Sequence, residues 1–134
     1  MRFYCLLCVI CVLVPPATSA DRSAGALSAW QRGDRAEAIA LWVDLADRGD
    51  AQANLVLGHV YRRGLGVDRD APRAAARYRR AAELGDAEAQ YELGLMYELG
   101  IGVTADPGEA GRWYAMSAAQ HCPGELGVVE RLLH

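Results

Sequence analysis

Between Asp50 and His121 apolar residues recur every three or four positions, and the whole pattern then repeats with a period of 36 residues. In the first unit Ala53, Leu57, Gly58 and Tyr61 form one stripe, and Ala74, Tyr78, Ala81 and Ala82 form a second. Both have helical spacing, so each unit, 50–85 and 86–121, predicts a helix pair. The units agree at thirteen positions, among them Leu57/Leu93, Gly58/Gly94, Tyr61/Tyr97, Gly64/Gly100, Gly66/Gly102 and Tyr78/Tyr114. The matched residues are small, tyrosine or turn-forming, with no nucleophile or metal-ligand set among them. The repeat therefore specifies packing.

Polar punctuation supports the same division. Gly49 and Gly85 suit the left-handed position after a helix, and Asp50 and Asp86 are placed to cap the next one. Paired glycines, Gly64/Gly66 and Gly100/Gly102, frame the inter-helix loops, where Val67 and Val103 can turn inward. Asp70 and Asp106 then cap the second helices, with Pro107 at the first helical position and Glu109 at capping-box spacing. Upstream, 26–33 and 34–49 read as a shortened unit, within a 21–49 segment whose Asp34 and Glu37 mark a helix start. Downstream, Leu126, Val129, Leu132 and Leu133 follow Cys122-Pro123-Gly124 at helical spacing and predict a terminal capping helix within 122–134. The sum is an all-α chain of about seven helices after residue 20.

The N-terminus has a different character. Phe3 to Val14 is continuously apolar and is followed by Pro-Pro-Ala-Thr-Ser-Ala. Twelve residues fall short of the roughly 20 needed to span a bilayer. Residues 1–20 are therefore expected to be a signal peptide cut after Ala20, with periplasmic export and no membrane span in the mature chain. Retention as an anchor is the alternative. Cys5, Cys8 and Cys11 follow leucine or isoleucine rather than a small-residue lipobox, which disfavours lipidation.

Removing residues 1–20 leaves 13 arginines against 17 acidic residues, no lysine, and Cys122 as the one cysteine. A mildly acidic exported chain is a poor ligand for nucleic acid, and no intrachain disulfide can form. The missing lysine excludes Schiff-base chemistry and a phosphate-loop lysine. His59, His121 and His134 lack metal-ligand spacing, so neither metal nor cofactor is expected. Cys122 can be a small buried residue, a free thiol or an intermolecular disulfide point. Arg69, Arg73, Arg77 and Arg80 form a helical series that suits either an acidic partner or a solvated face.

The motif Ala-x-Ala-x-x-x-Leu-Gly-x-x-Tyr-x-x-Gly-x-Gly-Val-x-x-Asp, closed by Ala-x-x-x-Tyr-x-x-Ala-Ala-x-x-Gly, resembles the Sel-one-like repeat (SLR) family, a relative of tetratricopeptide repeats. The resemblance covers residues 26–121 and implies a right-handed α-solenoid of stacked antiparallel helix pairs. His121 stands where the family has glycine, so the array is expected to end there. Similar repeats serve as adaptors, envelope assembly factors, regulators and inhibitors of toxic effectors. A cysteine-rich branch includes β-lactamase-like or penicillin-binding proteins. The cysteine-free repeats here depart from that branch, so no enzyme is expected, although a cell-wall-acting enzyme is the rival class.

If Leu57, Gly58 and Tyr61 face the partner helix, Gln52, Leu55, His59 and Arg62 point the opposite way, as do Glu88, Tyr91, Leu95 and Glu98. In tetratricopeptide-like stacks that face is concave. Apolar groups rimmed by charge there suggest a partner protein or extended peptide, as for an adaptor or for an immunity protein that neutralises an effector. The alternative is that neighbouring helices cover them. Self-association through the ends of the stack is also possible.

Overall fold

The computed structural model describes residues 18–132, with side chains to residue 120. The apolar signal-like segment lies almost wholly outside the described residues, as do the side chains of His121, Cys122 and His134. Six helices run in order: α1 (Ser19–Arg32), α2 (Arg35–Asp47), α3 (Ala51–Arg63), α4 (Ala71–Glu83), α5 (Ala87–Leu99) and α6 (Pro107–Leu132). Each packs on its neighbours in sequence, so the pairs α1–α2, α3–α4 and α5–α6 stack into an α-solenoid.

Local chemistry starts each helix where the sequence marks it. The Asp50 and Asp86 carboxylates accept from the backbone N–H groups of Ala53 and Ala89 at 2.8 Å, and Asp70 accepts from Arg73 at 2.9 Å. Asp106 accepts from both Gly108 and Glu109, but Glu109 turns to Arg112 and does not close a capping box. Asp34 likewise makes no cap, because Arg32 draws its carboxylate and that of Glu37 to within 3.2 and 3.1 Å. Gly64, Gly66, Gly100 and Gly102 all take positive φ, between 66° and 81°. Val67 and Val103 turn half-buried against the core.

Two ends of the chain depart from expectation. The first helix begins at Ser19, not near Ala26, and Thr18 and Asp21 close a capping box over it. Its inward residues are small, Ala26 and Ala29, and give little periodic signal. A cut after Ala20 would strip α1 of this cap. At the other end the expected break at Cys122-Pro123-Gly124 is absent, and α6 continues to Leu132, so the described residues hold six helices. One proline removes a single helical hydrogen bond, and helix formers such as Ala118, Ala119 and Glu125 flank it.

The core runs lengthwise through the stack, from Trp42 and Leu45 through Leu57, Val60 and Tyr78 to Leu93 and Met96. Between units it contains a polar clamp. Asn54 is completely buried and donates through Nδ2 to the Ala46 carbonyl at the end of α2 (3.2 Å) and to Asp50 (2.9 Å). Gln90, its repeat counterpart, donates to the Ala82 carbonyl of α4 at 3.1 Å. Each amide adds a second hydrogen bond to a helix-end carbonyl of the preceding unit, which also accepts from the backbone N–H of Gly49 or Gly85 at 3.0 Å. Asn54→Leu is therefore expected to lower stability by about 1–3 kcal/mol by removing both hydrogen bonds that the buried amide makes at the unit boundary. Urea denaturation checks this, and a wild-type midpoint would refute the clamp.

Candidate functional site

The face carrying Leu55, His59 and Arg62 is occupied by the chain itself. His59 on α3 places Nδ1 at 2.9 Å from the Tyr78 hydroxyl of α4 and Nε2 at 3.3 Å from the Glu88 carboxylate of α5. Arg62 donates to Glu92 at 2.9 Å, with its guanidinium 6.0 Å from the centre of the Tyr78 ring. These contacts seat α5 on the α3–α4 pair. Leu55, expected to be exposed, is buried at 3% exposure. The expectation treated each first helix as having one partner, whereas in a stack the following unit covers its other side.

One unit further on, the same positions are open. Tyr91, the counterpart of Leu55, is 54% exposed, and its ring lies 5.3 Å from that of Tyr114. Leu95 is half-buried, and Glu98 is exposed and accepts the Tyr114 hydroxyl at 2.6 Å. Tyr91, Glu98 and Tyr114, together with Ala87, Glu88 and Ala118, border a groove of about 820 Å³ between α5 and α6. The structure thus brings together Tyr91 and Glu98 with Leu95 between them on α5, and separates them from the engaged set Leu55, His59 and Arg62. Glu88, placed on this face by its helical spacing, borders the groove, whereas sequence reasoning missed Tyr114 and Glu92. Tyr114 matched Tyr78 in the repeat, but nothing local marked it as bordering an open groove.

Elsewhere the conserved spacing of the repeat is used for packing. An added Cβ on Gly58 or Gly94 would meet the ring of Tyr78 or Tyr114 at 2.5 and 2.8 Å. Tyr61 is buried under Arg73, and Tyr97 is half-buried and receives a hydrogen bond from Arg79. The arginine series at and just before α4 is similarly engaged. Arg77 reaches Asp47 at 3.4 Å, Arg80 reaches Glu83 at 3.9 Å, and Arg69 donates to the Arg62 carbonyl at 3.1 Å.

The groove presents tyrosine rings and small apolar side chains beside the carboxylates of Glu88 and Glu98. Burial pushes the Tyr78 phenol far above its ordinary value, and burial together with the Glu98 hydrogen bond pushes Tyr114 up to about 12. Both stay protonated at physiological pH, and Tyr114 donates to the Glu98 carboxylate. Tyr78, His59 and Glu88 have the outline of a proton relay, but the Tyr78 side chain is completely buried and reaches no substrate. Among the described residues no three His, Cys, Asp or Glu side chains converge to hold a metal ion, and no helix is long and apolar enough to cross a membrane.

Comparison with known proteins gives the same architecture. The family model described as Sel1 repeat matches residues 51–86 and 87–122, one residue later than the boundaries read from the sequence, which is a choice of where to cut a continuous repeat. No curated protein matches the chain. Among solved structures, the chain is 31% identical to a protective antigen of uropathogenic Escherichia coli strains that displays an SLR fold, with a TM-score of 0.73 over 78% of this chain and 23% of that one. It is 32% identical to a Sel1 repeat protein from Oxalobacter formigenes, with a TM-score of 0.67 over 73% of this chain and 40% of that one. Cysteine rich protein B of Helicobacter pylori shares the fold at 20% identity, with a TM-score of 0.68 over 84% of this chain and 86% of that one. The chain therefore spans less than half the length of the first two. With two family-matched units, a third helix pair stacked on them and only helices among the described residues, the chain belongs to the Sel1 repeat family.

Proposed function

We propose that this protein is an exported, periplasmic interaction module that binds a partner protein or extended peptide on the face carrying Tyr91, Leu95 and Glu98. Sel1-repeat proteins are generally protein–protein interaction modules, and the reading here is specific to one groove. The observation that carries it is the contrast between repeat counterparts: Leu55 is 3% exposed and Tyr91 is 54% exposed. A tyrosine held at the mouth of an open groove presents apolar area at low entropic cost, with a hydroxyl for hydrogen bonding, which suits a binding hot spot. Export rests on the apolar N-terminal segment.

The test is in-cell crosslinking of the tagged full-length chain, recovery from the periplasmic fraction and mass spectrometry of what is attached. One dominant partner is expected, on a chain that starts at Asp21. Tyr91→Ala is expected to lower recovery of that partner by about tenfold or more. Its melting temperature is expected to stay within a few degrees of wild type, because the side chain loses mainly one aromatic contact. Unchanged recovery would remove Tyr91 from the site, and collapse of the fold would make it core. A partner that is toxic when expressed alone would select the immunity variant. Recovery of monomer alone, or hydrolysis of cell-wall fragments by the purified chain, would contradict the module reading.

A further inference from the structure

We propose that the α5–α6 groove is the seat of a basic amphipathic helix supplied by a partner, docked as the first helix of a further repeat would be. This deepens the interaction reading above and rests on it. The template is inside the molecule. One unit back, the equivalent seat is filled by α5, and the counterparts of the groove residues are buried there: Leu55 for Tyr91, Tyr78 for Tyr114 and Ala82 for Ala118. At the open seat Tyr91 and Ala118 are exposed and Tyr114 is half-buried. The groove therefore has the shape and apolar floor of a helix-docking site that the described residues leave unfilled.

Charge determines what fits. In the filled seat α5 offers Glu88 and Glu92, one turn apart, to His59 and Arg62. At the open seat the counterparts of His59 and Arg62 are Leu95 and Glu98. The incoming helix must then carry an apolar residue where α5 has Glu88 and a cation where α5 has Glu92. Glu88 and Glu98 both border the groove, and among the described residues no cation pairs with Glu98. A carboxylate already held by the Tyr114 hydroxyl is fixed in place for an arginine or lysine.

The chain's own segments do not meet these requirements. Aligned on the C-cap glycines Gly33 and Gly100, α1 of a second copy would bring Asp21 and Gly25 to the two positions. In repeat register the segment after residue 120 would bring Gly124 and Val128, and α6 runs straight through it. Neither supplies a cation opposite Glu98. The occupant committed to here is a partner's helix.

The probe is a labelled peptide of residues 86–100 carrying Glu88→Leu and Glu92→Arg, compared with the unaltered peptide, titrated to millimolar concentration against the full chain and read by fluorescence anisotropy. The altered peptide is expected to bind at least about tenfold more tightly than the unaltered one. In the Glu98→Arg chain the order is expected to invert. Equal binding of both peptides, an order that does not invert, or no binding of either overturns the proposal. If neither peptide binds yet a cellular partner still crosslinks at residue 91, the basic-helix seat fails while the interaction reading stands. If both fail, the interaction reading falls too. A dimer by light scattering that Glu98→Arg abolishes would assign the seat to a second copy and likewise overturn the proposal.

Discussion

Replacing Gly58 with leucine is expected to lower folding stability by about 3 kcal/mol or more, the upper range for overpacking a core. Gly58 sits on α3 directly against the Tyr78 ring of α4. A Cβ built there lies 2.5 Å from one ring carbon of Tyr78 and 2.6 Å from the next, before the rest of a leucine side chain is placed. Tyr78 cannot retreat. It is completely buried, and its hydroxyl is held by His59, which is in turn held by Glu88 of the next unit. The strain therefore spreads from the α3–α4 pair to the seat of α5. Gly94→Leu makes the same substitution one unit later, against Tyr114 at 2.8 Å. Tyr114 is half-buried and borders the groove, so its ring can swing outward, and the cost there is expected to be smaller by about 1 kcal/mol or more. Chemical denaturation of the two variants measures both effects. Equal losses would mean that the open groove gives Tyr114 no freedom, and a wild-type midpoint for Gly58→Leu would refute the close-contact account.

Gly102→Ala is expected to cost about 3 kcal/mol through two additive causes. Its φ of 70° lies in the left-handed region, where a Cβ costs about 1 kcal/mol or more. In addition the new methyl would run into the carbonyl oxygen of Ala71 and approach the nitrogen of Pro72 at 2.9 Å. That carbonyl belongs to the first turn of α4, so the loop of one unit is wedged against a helix start of the unit before. Backbone inside a helical turn does not rotate away as the end of a side chain would. Gly66 shows the same wedge against Arg35 of α2, with the Arg35 Cβ at 2.7 Å. Gly111 is the internal control, because it is helical and exposed with nothing within 4 Å of its Cβ position. Gly111→Ala is expected to stabilise by about 0.5–1 kcal/mol from helix propensity alone. A loss on Gly102→Ala no larger than that of a surface loop substitution would contradict the wedge.

Period, caps and loop glycines were legible in the sequence because each is local. Asp50, Asp70 and Asp86 cap helices that begin one residue later, and Gly64 and Gly100 close α3 and α5 in the left-handed conformation. What depends on stacking was less legible. Leu55 and Tyr91 hold the same place in their helices, yet one is core and the other open, because among the described residues only the first is followed by a further docked helix. Burial at that position is set by rank in the array, and periodicity within a helix carries no record of rank. Asn54 and Gln90 escaped notice for a related reason. They differ in side-chain length, so they fall outside the thirteen identities, although both send an amide to the carbonyl at the end of the preceding unit. In α1 the inward positions are alanines, which satisfy close helix contact without producing a strong apolar stripe.

The groove at α5–α6 carries the functional account, and the most direct test places a photoreactive amino acid at position 91 of the full chain in living cells. A matched chain carries it at Ala40, an exposed position on α2. After irradiation, one dominant adduct is expected from position 91 and none of that species from position 40. No adduct from position 91, or the same set of adducts from both positions, would contradict the assignment of this groove as the partner site.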